Sequence, residues 1–472
     1  MSKNLKLTKY TRTLSSSNWS YNTQTIEIGG LSNLTYTMVT PLYSSLDEYT
    51  SCGVTNTSKG LNTLTFTCEK VPTSNIQISI VVWEDYEEGL IFAVDKTSIS
   101  LSTSMDNTTF TVLYNGDGEV SVQSSDTDVV TVAPTSDRGV YEVTVVGDGD
   151  ATITVSATKG SRPSAPSDLT ISVDVFTPSF TLNDNSWDVI SKVSESGQAA
   201  NYWSVGDRKE ITLNGTVGTL SLSNTTLYVY ILGFDHNSEV EGSGISFGTF
   251  KTALSGGTDV ALVDSYYGSY SSYSGTKYFQ MNHWGTSSNY NTNYGGWAAC
   301  DMRYDILGST DQAPTPYGSQ KTTSATGANP TSTCATNPVE NTLMAALPLE
   351  LRRVMKPITK YTDNKGNSSN VSANVTTTVD YLPLLSEYEV QGARTYANQY
   401  EYTDGKQTQY RYYNQGNSKV KYRHSSTGST CNWWGRSAYY AYATSFCYVI
   451  ANGVANSYTA SYSGGVAPAF LI

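Results

Sequence analysis

The sequence predicts a mainly β, multi-domain protein: a β-sandwich over residues 1–84, a second sandwich over 89–176, and a larger α+β domain over 178–472. Three observations carry this. At roughly 100–200 residues per domain, 472 residues correspond to about three domains. Many segments alternate apolar and polar residues with period two, the mark of half-buried strands. The composition is rich in strand formers, with 36 Tyr against 11 Phe and many Thr. Charged residues are only 15% of the chain, against ~25% in an ordinary soluble domain. Hydroxyls and amides, rather than ions, are therefore expected to keep the surface wet.

In the first block, LTYTMVTP, NTLTFTCEKVP and NIQISIVVWED alternate and are separated by turn-rich stretches, so they read as antiparallel strands. The acidic run Glu84–Glu88 marks its boundary. The second block holds seven short strands: SISLS, TTFTVLYN, EVSVQSS, VVTVAP, GVYEVTVVG, ATITVSAT and LTISVDV. Their spacing of about 8–12 residues predicts an immunoglobulin-like sandwich. The third block is heterogeneous. VGDRKEITLNGTVG and TTLYVYILGFDHN read as strands. NTLMAALPLELRRVM has helical spacing interrupted at Pro348, and LPLLSEYEVQG suggests a second short helix.

Several function classes are disfavoured. A net charge of −12 and a pI near 4.8 repel a phosphate backbone, and no basic stripe offsets them, so no nucleic-acid partner is expected. No run of ~18 apolar residues predicts membrane insertion. The N-terminus lacks the apolar core of a secretory signal, which points to folding in the cytoplasm and release by another route, such as host lysis. Six scattered cysteines, Cys52, Cys68, Cys300, Cys334, Cys431 and Cys447, form no CxxC, so buried thiols are expected rather than a zinc site. His236, His283 and His424 read as hydrogen-bonded structural residues, and no metal or cofactor is expected. Glu387 and Glu389 are an acid pair of the kind used in glycoside hydrolysis, but on a short amphipathic segment they read as a solvated face. No nucleophile or acid–base set is positioned, so the chain is expected not to be an enzyme.

The second block, through "SSDTDVVTVA" and "GDGDATITVSAT", resembles the bacterial immunoglobulin-like group 2 domain, which serves as a spacer in adhesins and phage structural proteins. The first block, through "RTLSSSNWSYNTQTIEIGGL" and "GLNTLTFTCEKVPTSNIQISIVVW", resembles N-terminal domains of fibre proteins in phages of Gram-positive bacteria. From about Ser196 the chain resembles an uncharacterised domain family of gut Firmicutes and their phages. The carriers are "SGQAANYWSVGDRKEITLNGTVG", "GGWAACDMRYDILGS", "RRVMKPITKYTDN", "VDYLPLLSEYEVQG", "WWGRS" and "GGVAPAFLI". Similar domains often end in Arg-Pro-Ala-Phe; Ala467 stands in place of that arginine, so a role tied to it does not carry over. The WWxRS…GVxPAF frame also looks like the C-type-lectin/formylglycine-generating-enzyme fold of phage variable receptor-binding proteins. By analogy this implies a lectin-like binding scaffold.

The tail from Trp433 to Tyr462 interleaves Tyr with Ser, Ala, Asn and Thr, a composition suited to contact surfaces, with rigid rings supplying area and small polar residues supplying hydrogen bonds. The candidate ligand-binding residues are Trp433, Trp434, Arg436, Tyr439, Tyr440, Tyr442, Tyr448, Tyr458 and Tyr462, with Trp434 and Arg436 expected to be structural. The loops Tyr266–Tyr278 and Asn289–Tyr294 come next. The leading expectation is a virion fibre or receptor-binding protein. It joins other virion proteins through its N-terminal domain, as a homo-oligomer such as a trimer, and binds a host cell-surface glycan or protein through the third block. The alternatives are a non-binding capsid or tail decoration protein, a bacterial surface adhesin, and an oxidase of the formylglycine-generating type. The oxidase needs two of Cys300, Cys334, Cys431 and Cys447 exposed and adjacent.

Overall fold

The structure is a computed structural model that describes residues 7–29, 31, 35–84, 90–104, 107–160, 165–268, 275–284 and 291–472. The acidic run after Glu84 and parts of the loops 266–278 and 289–294 lie outside these residues. The chain divides into two compact units, Met1–Thr177 and Pro178–Ile472. The first two predicted blocks share the first unit, and each has its own core. The protein is mainly β, as the alternation predicts.

The first block has six strands: β1 (Leu7–Leu14), β2 (Thr23–Glu27), β3 (Thr35–Pro41), β4 (Thr55–Gly60), β5 (Thr63–Thr67) and β6 (Ile76–Glu84). They make two three-stranded antiparallel sheets, ordered β1-β6-β3 and β2-β5-β4. Ile76, Ile78, Ile80 and Val82 point to one face of β6 because side chains alternate along a strand. They pack with Leu64 and Phe66 of the other sheet in one core.

The second block has eight strands, one more than predicted: β7 (Phe92–Val94), β8 (Ser98–Ser102), β9 (Asn107–Tyr114), β10 (Val120–Ser124), β11 (Val130–Pro134), β12 (Val140–Val145), β13 (Gly149–Ala157) and β14 (Leu169–Phe176). Two four-stranded sheets, β10-β13-β14-β8 and β11-β12-β9-β7, close over Phe110, Val130, Val143, Ile153 and Ile171. Strands β8 and β14 pair in parallel. The missed strand β7 is three residues long, too short to show alternation. Every residue of this core lies between Phe92 and Val175. Residues 89–176 expressed alone should therefore unfold in one cooperative transition in a thermal melt; a chain without such a transition would show that the core needs the first block.

The second unit carries β15 (Arg208–Val217), β16 (Leu220–Phe234), β17 (Ile245–Lys251), β18 (Asp259–Ala261), β19 (Ile358–Asp363), β20 (Val375–Asp380), β21 (Lys421–Arg423), β22 (Ser426–Cys431), β23 (Trp433–Ala438), β24 (Ser445–Val449), β25 (Ala455–Thr459) and β26 (Ala469–Leu471). A seven-stranded mixed sheet runs β15-β16-β17-β18-β21-β22, with β26 also pairing β17. The β15–β16 hairpin turns at Gly218, whose φ of +54° favours glycine and whose Cβ would fall 2.2 Å from the Lys277 carbonyl. The helical stretch breaks where predicted, into Leu343–Ala346 and Leu349–Val354 on either side of Pro348. The second predicted helix is Glu387–Gln391, capped by Ser386 and Glu389 in a reciprocal capping box. The closing "GGVAPAFLI" is buried throughout, and Ala467 sits in the core with Leu385 and Trp433.

Candidate functional site

The predicted site residues fall on or beside the three-stranded sheet β23-β24-β25, in which β23 and β24 are buried along their whole length. Trp433 and Cys447 belong to the face packed on the core. Trp434 opposes Tyr448 in the ladder, Tyr448 opposes Asn456, and Phe446 opposes Tyr458, so these share the other face. Trp433, Trp434 and Arg436 are buried and offer no surface to a ligand, which corrects their place among the binding residues. Tyr448 and Tyr462 are also buried. Tyr439 and Tyr440 are half-buried, Tyr442 is 62% exposed and Tyr458 39%.

The exposed rings are held rather than dangling. Tyr439 packs edge-on against Tyr440, Tyr442 and Tyr396, with centroids 5.5, 5.2 and 5.3 Å away. Tyr458 packs against Tyr462 at 4.6 Å and Tyr448 at 5.8 Å. Two buried polar side chains fix the loops that carry the first group. The Asn293 amide donates to the carbonyls of Tyr439, Tyr442 and Ser445 at 3.2, 3.0 and 2.9 Å. The Glu387 carboxylate accepts from the backbone N–H groups of Thr395, Tyr396 and Ala397 at 2.7, 2.9 and 2.6 Å. Glu387 is therefore no part of a solvated face: its helix is too short to turn a face outward, and the amides replace the water it gives up. A surface set in advance loses less entropy on binding.

Behind the sheet lies a buried ionic core that the sequence reading missed. Arg436 donates to both Glu389 oxygens, one at 2.8 Å, to the Leu384 carbonyl at 2.9 Å and to the Thr362 hydroxyl at 2.8 Å. Lys360 bridges Glu389 at 2.9 Å and Glu241 at 2.6 Å, and donates to the Tyr410 hydroxyl at 3.1 Å. Glu389 is fully buried, so it too is no solvated face. Burial works to raise its carboxyl, and the charges of Arg436 and Lys360 outweigh that and hold it well below the usual range. His236 stacks on Tyr410 at 3.7 Å, and burial, then the nearby cations, pushes it down to about 3, so it is neutral. His236, Glu241 and Glu389 place ligand atoms within 4.8 Å of one another. The Lys360 ammonium already supplies the cation between the two carboxylates, so the trio is a salt-bridge core.

Glu401 completes this core. It accepts from the Ser437 hydroxyl at 2.6 Å and the Asp363 amide at 2.9 Å. Burial pushes its carboxyl up to about 7 against those hydrogen bonds. An acid whose pKa is raised by folding adds stability that is full below its ordinary 4.5 and lost as pH rises through 7, here about 3 kcal/mol at most. His236 works in the opposite sense below its ordinary 6.5. The clean measurement is therefore the difference in melting temperature between the native chain and Glu401→Gln. That difference should shift in favour of the variant between pH 5 and 8, and a constant difference would refute the assignment.

The other candidates resolve as structural groups. The His283 Nε2 lies 2.9 Å from Asp305, which also binds Lys277 at 2.7 Å and the Tyr317 hydroxyl at 3.0 Å. His424 Nδ1 accepts from the Val263 amide at 3.1 Å. All six cysteines are free and buried. Burial pushes the Cys300 and Cys334 thiols up to about 12 and Cys431 up to about 11, and raises Cys447 well above its usual value. An oxidase nucleophile needs the reverse, an accessible thiol of lowered pKa. A separate polar groove of about 890 Å³ lies between the helix Trp187–Glu195, β15 and the turn at Pro348, and holds none of the predicted site residues.

Residues 276–472 match a domain family described as a domain of unknown function (DUF6273). No curated protein matches the chain by sequence. The match takes in β19 to β26, the tyrosine loops and all of the ionic core but His236 and Glu241. It begins after the "SGQAANYWSVGDRKEITLNGTVG" stretch, which nonetheless lies in the same compact unit.

Proposed function

We propose that the chain is a non-enzymatic surface-binding protein of the virion-fibre or adhesin kind, and that its second unit attaches to a cell-surface ligand through Tyr396, Tyr439, Tyr440, Tyr442 and Tyr458. In this reading the first block joins other virion proteins and the second block spaces the binding unit away from them. One observation carries the binding role: the exposed Tyr442 and the half-buried Tyr396, Tyr439 and Tyr440 crowd onto loops whose backbones are fixed by buried Asn293 and Glu387. Ring area on a rigid support is what binding hot spots use, and a decoration protein has no need of it.

The test is a Tyr440→Ser, Tyr442→Ser, Tyr458→Ser variant of the whole chain, fluorescently labelled and scored for attachment to a panel of bacterial cells. Each exposed ring is expected to carry on the order of 2 kcal/mol of binding, so attachment should fall by more than ~100-fold. The thermal melt should stay within a few degrees of the parent's. Undiminished attachment would place the binding surface elsewhere, the 890 Å³ groove included.

A further inference from the structure

We propose that the ligand of the tyrosine face is an acidic polysaccharide, one bearing carboxylate or phosphate groups; this rests on the binding reading above. The chain as a whole is acidic, at −12. Yet after Asp404 it has no further Asp or Glu, while Lys406, Arg411, Lys419, Lys421, Arg423 and Arg436 all fall in that stretch. Lys421 and Arg436 are buried in the core, so the cations this stretch can offer a ligand are the others, and it carries no acid to offset them.

The placement of two arginines sharpens this. Arg394 lies 4.9 Å over the Tyr440 ring in one group of tyrosines, and Arg423 lies 4.2 Å over the Tyr267 ring in the other. The rings run from Tyr440 through Tyr439 to Tyr396, and from Tyr448 through Tyr458 and Tyr462 to Tyr267. Both groups adjoin the strand Ser445–Val449: the Tyr439 amide donates to the Ser445 carbonyl, and Tyr458 opposes Phe446. Both arginines are half-buried and stacked, and among the described residues neither forms an ion pair with a carboxylate. Glu387, which lies within electrostatic reach of Arg394, and Asp264 are already engaged. Glu387 holds three backbone amides. Asp264 takes the Ser463 hydroxyl and the amides of Phe279 and Tyr266.

A guanidinium lying flat on a ring keeps the edge of its fork free, and that edge matches a carboxylate or phosphate in two-point contact. The exposed Tyr442 and Tyr458 and the half-buried Tyr396, Tyr439 and Tyr440 supply flat apolar area for the C–H faces of pyranose units. A neutral glycan would gain from the rings but not from the arginines. The negative remainder of the chain would meanwhile repel an acidic polymer everywhere else, which turns local attraction into specificity.

The experiment measures binding of the whole chain to two matched pairs of immobilised probes at physiological salt. One pair is polygalacturonate and its methyl ester; the other is dextran phosphate and dextran. At least one acidic probe should bind about tenfold or more tightly than its neutral partner, and which pair responds identifies carboxylate or phosphate. Arg394→Gln with Arg423→Gln should remove the difference without moving the thermal melt, and Arg→Lys at both positions should restore part of it. If neither acidic probe binds more tightly than its partner, the acidic ligand is overturned. Tighter binding to oligothymidylate than to either acidic probe would also overturn it, assigning the face to a nucleic acid instead. The tyrosine variant separates the two levels. If it loses cell attachment while acidic and neutral probes bind alike, the binding face stands and its acidic ligand falls; if it keeps cell attachment, the binding reading itself fails.

Discussion

Replacing Arg436 by Ala should destabilise the second unit by about 3–5 kcal/mol, the usual result of removing one partner of a buried ion pair. The guanidinium is fully buried and binds Glu389, Leu384 and Thr362 at once. Its loss leaves the buried Glu389 with Lys360 and the Ser386 amide. At about 2–4 °C per kcal/mol for a unit of this size, the melting temperature should fall by roughly 6–20 °C. Arg436→Lys should recover little of it, because a single ammonium cannot reach a carboxylate, a carbonyl and a hydroxyl that a planar fork spans. Glu389→Gln should cost a similar amount, since it strips charge from both Arg436 and Lys360. Differential scanning calorimetry of the full chain decides the matter. A loss below about 1 kcal/mol would mean that the network adds no more than a surface pair.

What the sequence made legible depended on how local the cause was. The alternation of Ile76, Ile78, Ile80 and Val82 is enforced within one strand, so it could be read directly and it held. So did the break at Pro348, which lacks the N–H a continuing helix would need. The buried acids could not be read that way. Glu389 is matched by Lys360, 29 positions away, and by Arg436, 47 positions away, and nothing in the spacing of a short amphipathic helix announces partners at that range. The strand Trp433–Ala438 misled for a related reason. It is buried along its whole length, so its polar residues do not mark an outward face: Ser437 is satisfied by Glu401 instead of by water. One signal was present and passed over, the absence of any Asp or Glu after Asp404. Averaging charge over the whole chain hid it.

Trp434→Ala is expected to cost about 3–5 kcal/mol, the range for emptying a buried aromatic site, and to abolish ligand binding as well. Trp434 is 1% exposed, donates its indole N–H to the Phe279 carbonyl at 3.0 Å, and lies so close to Gly464 that a Cβ there would fall 2.8 Å from its nitrogen. Tyr448 and Tyr462 rest on its ring, with centroids 5.7 and 6.3 Å away, and Tyr458 rests on those two in turn. Removing the indole therefore takes away the floor of the aromatic surface as well as core volume. Trp434→Phe separates the two effects. It keeps a ring under the tyrosines and loses only the N–H and some volume, leaving the Phe279 carbonyl to the Gly464 amide at a cost of about 1 kcal/mol. The Phe variant should accordingly melt lower than the parent, yet bind cells and probes within a few-fold of it, while the Ala variant should fail in both respects. An Ala variant with the parent's melt would show that Trp434 does not hold the face together. A Phe variant that is stable but cannot bind would show that the indole N–H sets the geometry of the surface through Phe279, rather than the ring through Tyr448 and Tyr462.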